Sequence, residues 1–203
     1  MSTRTDEMST AVKTTAAQAG EAKAHAERAL ESARSKTETA YAHGWDGVAA
    51  NMDQAAEHLE GVLEQLAGTE HACQSAGEVL DEITDQLSSP EVAEHLANAI
   101  EYLDTGTSTT EAAIGLIDEA IGACQAAGQE SLPAALQTLR EEADEIRERA
   151  EQLRIEAHAE HEATGTWSAD AEDDDSHNTD SPTTDSPTTD SAEVRPGAEA
   201  GRR

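Results

Sequence analysis

The chain has 203 residues, with 43 Asp or Glu against 13 Lys or Arg, and a formal net charge of −30. This acidity argues against nucleic-acid binding, and no apolar run approaches the ~18 residues of a membrane span. Leu, Ile, Val and Phe together make up only about 13% of the chain, a composition typical of disorder. However, Ala, Glu, Lys, Leu and Arg supply about half of the first 163 residues, which is typical of long helices.

The first segment, residues 6–42, repeats apolar residues at alternating steps of four and three. This period of 3.5 residues places them on one stripe of a helix. Only Val12 and Leu30 are large among them, so this helix has the least apolar area to pack. His43-Gly44 is a turn signal and ends the predicted helix.

Three further segments, 46–88, 90–128 and 131–163, carry the same repeat more strongly. Eleven of twelve, nine of eleven and eight of nine of their stripe positions are apolar. The repeat predicts that large apolar residues on these stripes form the core. The stripe residues that we expect to hold the bundle together are Leu59, Leu66, Leu80, Leu103, Ile117 and Leu136.

Short breaks separate the predicted helices, at Ser88-Ser89-Pro90-Glu91 and at Gly128. Short connections make neighbouring helices antiparallel. The sequence therefore predicts an all-α fold, a long antiparallel four-helix bundle or coiled coil over residues 1–163. Residues 104–110 are poor helix formers, but the repeat keeps its phase across them, so we expect a kinked or frayed but continuous helix. Matching segments within the chain indicate an internal repeat.

The C-terminal segment, residues 164–203, is rich in Asp, Ser, Thr and Pro and contains one large aliphatic residue, Val194. It repeats the sequence Asp-Ser-Pro-Thr-Thr from Asp180 and again from Asp185. Such a segment buries too little apolar surface to offset the entropy of ordering. We predict a disordered acidic tail.

The sequence contains no recognisable catalytic motif, cofactor loop or metal-binding pattern, so we expect a protein that is not an enzyme and needs no cofactor. His158 and His161 share a helix face and form the best metal candidate, which we interpret as solvated polar residues. Cys73 and Cys124 lie on stripes of neighbouring helices, but the antiparallel register separates them by roughly 28 Å. We therefore predict no disulfide between them, because a bridge needs Cα atoms within about 7 Å.

Trp45-Asp46-Gly47 lies at the turn between the first two predicted helices. In a core with few large residues, we expect Trp45 to cover the open end of the bundle. A long helix, a Trp-x-Gly turn and a second long helix also resemble the WxG helical-hairpin proteins of type VII secretion systems, over residues 6–88. That resemblance implies interaction roles for Trp45 and Gly47. The family's Tyr-x-x-x-Asp/Glu signal is missing, because Gly106 stands four residues after Tyr102. The composition resembles Ala- and Glu-rich helical proteins of actinobacteria.

Charge supplies the main functional indication. Residues 37–139 contain 19 Asp or Glu and no Lys or Arg. We expect uncompensated repulsion there, with raised carboxyl pKa values. The function that this charge favours is a non-enzymatic helical scaffold or adaptor that presents an acidic surface to a protein partner, and a basic partner would complement that surface. The alternative is a WxG-like component, chaperone or immunity-type partner of a type VII secretion or toxin system. The segment from Met1 to Gly20 lacks a signal-peptide pattern, so we expect a cytoplasmic protein, with leaderless export and homo-oligomerisation left open.

Overall fold

A computed structural model describes the backbone of residues 2–84 and 86–172, and the side chains of residues 3–84 and 86–164. Within these ranges the chain forms four α-helices and no strand, as the repeat predicted. The helices are α1 (Ser2–Ala42), α2 (Asp46–Asp81), α3 (Ser89–Ala126) and α4 (Ser131–Glu172).

Polar contacts between the helices show that neighbours are antiparallel. Residue numbers fall along α2 as they rise along α1 in the pairs Lys23–Glu70 and Arg34–Glu60. The same opposition holds between α3 and α4, in Asp104–Arg154 and Asp118–Arg140. His25 of α1 contacts Glu142 of α4, so the fourth helix returns to the first and closes the bundle.

The predicted stripes form the core. Leu59, Leu66 and Leu103 are completely buried, whereas Glu57 and Glu60 on the same turns are exposed, as expected. The core consists of two apolar clusters that follow one another along the bundle. One contains Leu59, Leu66, Ile117 and Leu136, and the other contains Val12, Leu80, Leu103 and Leu153.

A layer of hydroxyl groups lies between the two clusters. The Thr69 and Thr110 side chains are both fully buried, and their Oγ1 atoms are 3.0 Å apart. Thr110 donates its hydroxyl proton to the carbonyl oxygen of Gly106 at 2.6 Å, and Thr69 donates its own to that of Gln65 at 3.1 Å. These bonds satisfy the buried polar groups. Residues 104–110 form a continuous part of α3, as expected.

The α2 helix ends at Asp81, seven residues before the predicted boundary at 88. The chain leaves the helix here because Ile83 packs against the second cluster from outside the helix, where it is buried. Glu91 then accepts hydrogen bonds from the backbone N–H of Ser88 at 2.8 Å and from its hydroxyl at 2.7 Å. The Ser88 hydroxyl oxygen in turn accepts from the backbone N–H of Glu91, which completes the reciprocal capping box that starts a helix.

The α4 helix runs to Glu172, nine residues beyond its predicted end at 163. Thr164 is the next stripe position, and it is buried and donates to the carbonyl oxygen of Glu160 at 2.8 Å. Glu160 in turn pairs with Arg4 of α1. The α1 helix begins at Ser2, four residues before its predicted start at 6. The two helices therefore continue side by side. The rest of the predicted disordered tail, residues 173–203, lies outside the described residues.

Candidate interaction surfaces

The large stripe residues have a structural role. Each of the six core candidates is at most 1% exposed, so none is available to a partner in the folded chain: Leu59, Leu66, Leu80, Leu103, Ile117 and Leu136. Their apolar area supports the fold. Surfaces that could bind a partner must therefore be sought among the turns and the outward-facing helix positions.

Trp45 does not cover the end of the bundle, and that expectation is wrong. Its side chain is 56% exposed and stacks against the His43 ring, with centroids 4.9 Å apart. The backbone explains the difference: the Trp45 N–H donates to the carbonyl oxygen of Ala40 at 2.9 Å, which closes the turn without the indole. Trp45 precedes α2 and makes no side-chain hydrogen bond to cap it.

The glycine that the turn requires is Gly44, rather than Gly47 of the Trp-x-Gly motif. Gly44 has a φ of +70°, a conformation that L side chains rarely adopt. Gly47 lies within α2, is exposed, and has open space where a Cβ would stand. Nothing in the fold requires a glycine at position 47.

Three further residues, Tyr41, Asp46 and Asp53, complete a surface at this turn. Tyr41 is 54% exposed, and its hydroxyl donates to Asp53 at 3.2 Å. The hydrogen bond and negative charge of Asp53, together with the charge of Asp46, raise the pKa of Tyr41 above its ordinary value. We call the set of Tyr41, His43, Trp45, Asp46 and Asp53 the aromatic turn.

The acidic residues of α2 are partly compensated by α1. Lys13 pairs with Asp81, Lys23 with Glu70 at 2.6 Å, and Arg34 with Glu60 at 2.5 Å. Three heptads separate Lys13 from Arg34 on α1, and three heptads also separate Glu60 from Asp81 on α2. These contacts form an ion-pair ladder along the α1–α2 interface.

A second ladder joins α3 to α4. Arg140 lies 2.8 Å from Asp118, and Arg154 lies 3.8 Å from Asp104, with a spacing of two heptads on each helix. Between them, Arg147 pairs with Asp144 of its own helix at 3.1 Å. The expectation that the acids of α2 and α3 are uncompensated is therefore wrong for five of them, because cations of α1 and α4 reach across both interfaces.

The prediction of raised carboxyl pKa values is wrong at two residues of this stretch. Hydrogen bonds from Lys13 and Ser9 lower the pKa of Asp81, and hydrogen bonds from Ser88 lower the pKa of Glu91. In both cases the hydrogen bonds stabilise the ionised carboxylate more than partial desolvation destabilises it.

Other glutamates on α2 and α3 remain without a partner among the described residues. Five of them stand at outward-facing heptad positions and all five are exposed: Glu57, Glu64, Glu78, Glu94 and Glu101. We call this set the acidic face. The helices that carry it contain no Lys or Arg, so its charge is not neutralised from within its own helices.

A groove lies along the α1–α4 interface. A cavity of about 410 Å³ lies between the helices, with Ala29, Leu132 and Leu139 among its lining residues. His25 and Glu142 cross it, with Nδ1 and Oε2 2.7 Å apart. The rim combines His25, Arg28 and Glu142, so it carries charges of both signs and no strong preference for an anion or a cation.

The two thiols form no disulfide, and the pair His158 and His161 belongs to no three-residue metal-ligand group in the described part of the chain. Cys73 and Cys124 are free and buried, in agreement with the predicted absence of a disulfide. Burial raises the pKa of Cys73 to about 11 and also raises that of Cys124, which keeps both thiols protonated. Among the described residues, no three His, Cys, Asp or Glu side chains come together as a metal site.

Comparison with known protein families, curated proteins and solved structures finds no match to this chain. The resemblance to WxG proteins, with the interaction roles it implies for Trp45 and Gly47, therefore stays a prediction. A search of the described helices for one long and apolar enough to cross a membrane finds none.

Proposed function

We propose that the protein is a non-enzymatic helical scaffold or adaptor whose acidic face binds a basic region of a protein partner. The observation that carries this proposal is the division among the acids of α2 and α3. Five serve the ion-pair ladders, whereas the five of the acidic face are exposed and have no partner in the described structure. A complementary positive surface would remove their mutual repulsion and steer association.

A general requirement for solubility would also explain exposed glutamates, and the helices offer a matched test of the two explanations. Five other glutamates occupy outward positions on α1 and α4 and are exposed: Glu7, Glu21, Glu141, Glu148 and Glu162. Changing either set of five to Gln alters the net charge equally. Only the position of the removed charge differs between the two variants.

The experiment compares capture of partners from native lysate by the full chain and by these two variants, with covalent cross-linking to map the contact. We expect the parent chain and the α1/α4 variant to retain a salt-sensitive partner cross-linked to α2 or α3. The acidic-face variant should lose it. Equal retention by both variants, or equal loss, would contradict the proposal, because binding would then not depend on where the charge lies.

A second candidate function is a WxG-like component, chaperone or immunity-type partner of a type VII secretion or toxin system. The exposure of Trp45 at the turn supports it, because the fold leaves this side chain available. Neighbouring genes that encode a type VII ATPase or a large toxin would favour this function over a general adaptor.

A further inference from the structure

The aromatic turn exposes more apolar ring surface than the fold requires. Tyr41 and Trp45 are the two most exposed of the large hydrophobic residues in the described chain, and they stand only four positions apart in sequence. The Trp45 side chain belongs to neither core cluster and makes no hydrogen bond that caps α2. Exposed Trp and Tyr side chains are the types that most often dominate binding energy at protein interfaces.

The geometry leaves one face of the indole open. His43 stacks on one side of Trp45 at an interplanar angle of 28°, while more than half of the Trp45 surface remains accessible. The face of an indole ring attracts cations more strongly than any other side-chain ring. An unoccupied Trp face is therefore suited to a Lys or Arg side chain.

The charges around the ring favour the same ligand. Asp46 follows Trp45 directly, and Asp53 holds the Tyr41 hydroxyl at 3.2 Å. The sequence contains no Lys or Arg between Lys36 and Arg140, and Lys36 is bound to Gln129 at 2.8 Å. Lys36 is thus engaged elsewhere, and neither Asp46 nor Asp53 forms an ion pair within the described residues, so both carboxylates can pair with a cation from a partner.

We propose that the aromatic turn is a docking site for a Lys- or Arg-bearing segment of a partner protein. The cation lies over the open face of Trp45 and pairs with Asp46 or Asp53, while apolar atoms of the segment cover Tyr41. This inference rests on the proposed function and places an anchoring contact at one end of the bundle. A second copy that docks through the same turn is disfavoured as occupant, because it would bring Asp46 and Asp53 against identical acids.

The test uses the full chain with Trp167→Phe, so that Trp45 is the only tryptophan. The probe is a short peptide of alternating Arg and Leu, and a version with citrulline in place of Arg is its uncharged control. We expect a saturable change in Trp45 fluorescence with the Arg peptide and none with the citrulline peptide. An equal response to both peptides would overturn the inference, because the site would then recognise only apolar surface.

Variants locate the contact, with labelled-peptide anisotropy as the readout and circular dichroism to verify folding. Trp45→Leu and the Asp46→Asn/Asp53→Asn pair should each weaken binding by about fivefold or more. Tyr102→Leu, which removes a 40% exposed aromatic ring from α3, should leave binding unchanged. Unchanged affinity in Trp45→Leu would overturn the inference.

Two further results separate this inference from the proposed function. If the acidic-face variant no longer binds the peptide while Trp45→Leu still binds it, the aromatic turn is not the docking site, and the proposal that the acidic face binds the partner is supported. If sedimentation shows a dimer of the parent chain that Trp45→Leu dissociates, the turn serves self-association and the inference is wrong. Loss of the peptide in Trp45→Leu alone, with a monomer throughout, supports it.

Discussion

Leu66 lies fully buried in the first core cluster, close to the hydroxyl layer formed by Thr69 and Thr110. We predict that Leu66→Ala lowers the free energy of unfolding by about 2–5 kcal/mol, because it removes buried apolar area and leaves a cavity. Ile155→Ala is the matched control, since Ile155 is a comparable side chain that is 52% exposed on α4. Urea denaturation measures both, and an equal cost for the two would contradict the assignment of the core.

From the backbone conformation we predict stability changes of opposite sign when two glycines are replaced by alanine. Gly44→Ala should destabilise the chain by about 1 kcal/mol, because its φ of +70° is unfavourable for alanine. Gly115→Ala should instead stabilise it by about 0.5–1 kcal/mol, because Gly115 lies inside α3 with open space at its Cβ position. Thermal unfolding of both variants tests the signs, and stabilisation by Gly44→Ala would contradict the turn geometry.

Burial of single residues could be predicted from the sequence wherever the heptad applies. Leu66 and Leu103 are buried and Glu57 and Glu101 are exposed because their positions in the repeat decide which way they face. Trp45 lies outside any helix, so the repeat says nothing about it. Its exposure follows from the backbone bonds that close the turn, which composition does not reveal.

At the scale of helices, the ion-pair ladders define the register of each antiparallel pair. Lys23–Glu70 is the least exposed of the α1–α2 contacts, with both side chains about one-third exposed or less. We predict a coupling of about 0.5–1 kcal/mol in a double-mutant cycle of Lys23→Met and Glu70→Gln. The cycle of Arg28→Met and Glu70→Gln should show no coupling, because Arg28 makes no ion pair in the described structure. Equal coupling in both cycles would contradict a specific pair.

The ion-pair ladders could have been predicted from the spacing of charged residues on neighbouring helices. Counting the charges of each helix separately does not reveal them. Arg140 and Arg154 are separated by two heptads, as are Asp104 and Asp118. Matching intervals of whole heptads on helices that run in opposite directions bring opposite charges together at the positions beside the stripe. The acidic face is what remains after this pairing, so the surface became definable only once the register was known.

The connection between α2 and α3 should make stability depend on pH. Asp81 and Glu91 have lowered pKa values in the folded chain, so the unfolded chain binds protons more readily there. Their contribution to stability is therefore present above about pH 5 and is lost as the pH falls through about 4 and below. The difference in unfolding free energy between the parent chain and Asp81→Asn/Glu91→Gln should disappear over that range. A difference that is constant from pH 6 to pH 3 would contradict the lowered pKa values.

At the scale of the whole molecule, the sequence predicted four helices and their order but not where two of them end. The ends depend on contacts between distant residues. Arg4 pairs with Glu160 and Thr164 is buried, which extends α1 and α4 beside each other. The end of α2 at Asp81 coincides with contacts from Ser9 and Lys13 of α1 to Asp81 and with the packing of Ile83 in the second cluster. A local repeat contains neither kind of information.

The net charge of −30 acts on the molecule as a whole, and salt distinguishes its two opposing effects. Screening weakens the ion-pair ladders, which lowers stability, and it also weakens the repulsion within the acidic face, which raises stability. Exposed ion pairs contribute little individually, whereas the repulsion sums over many acids. We therefore predict that the melting temperature rises when NaCl increases from about 20 mM to about 500 mM.

Position decides how much of that rise each charge contributes. The acidic-face variant with five Glu→Gln changes should show a smaller rise with salt than the parent chain, because α2 and α3 contain no Lys or Arg to offset the removed charges. The matched α1/α4 variant should keep more of the rise, because its glutamates lie on helices that carry cations. A parent chain whose melting temperature falls with salt would show that the ladders outweigh the repulsion. The acidic face would then store no strain for a basic partner to relieve, and the proposed function would lose its physical basis.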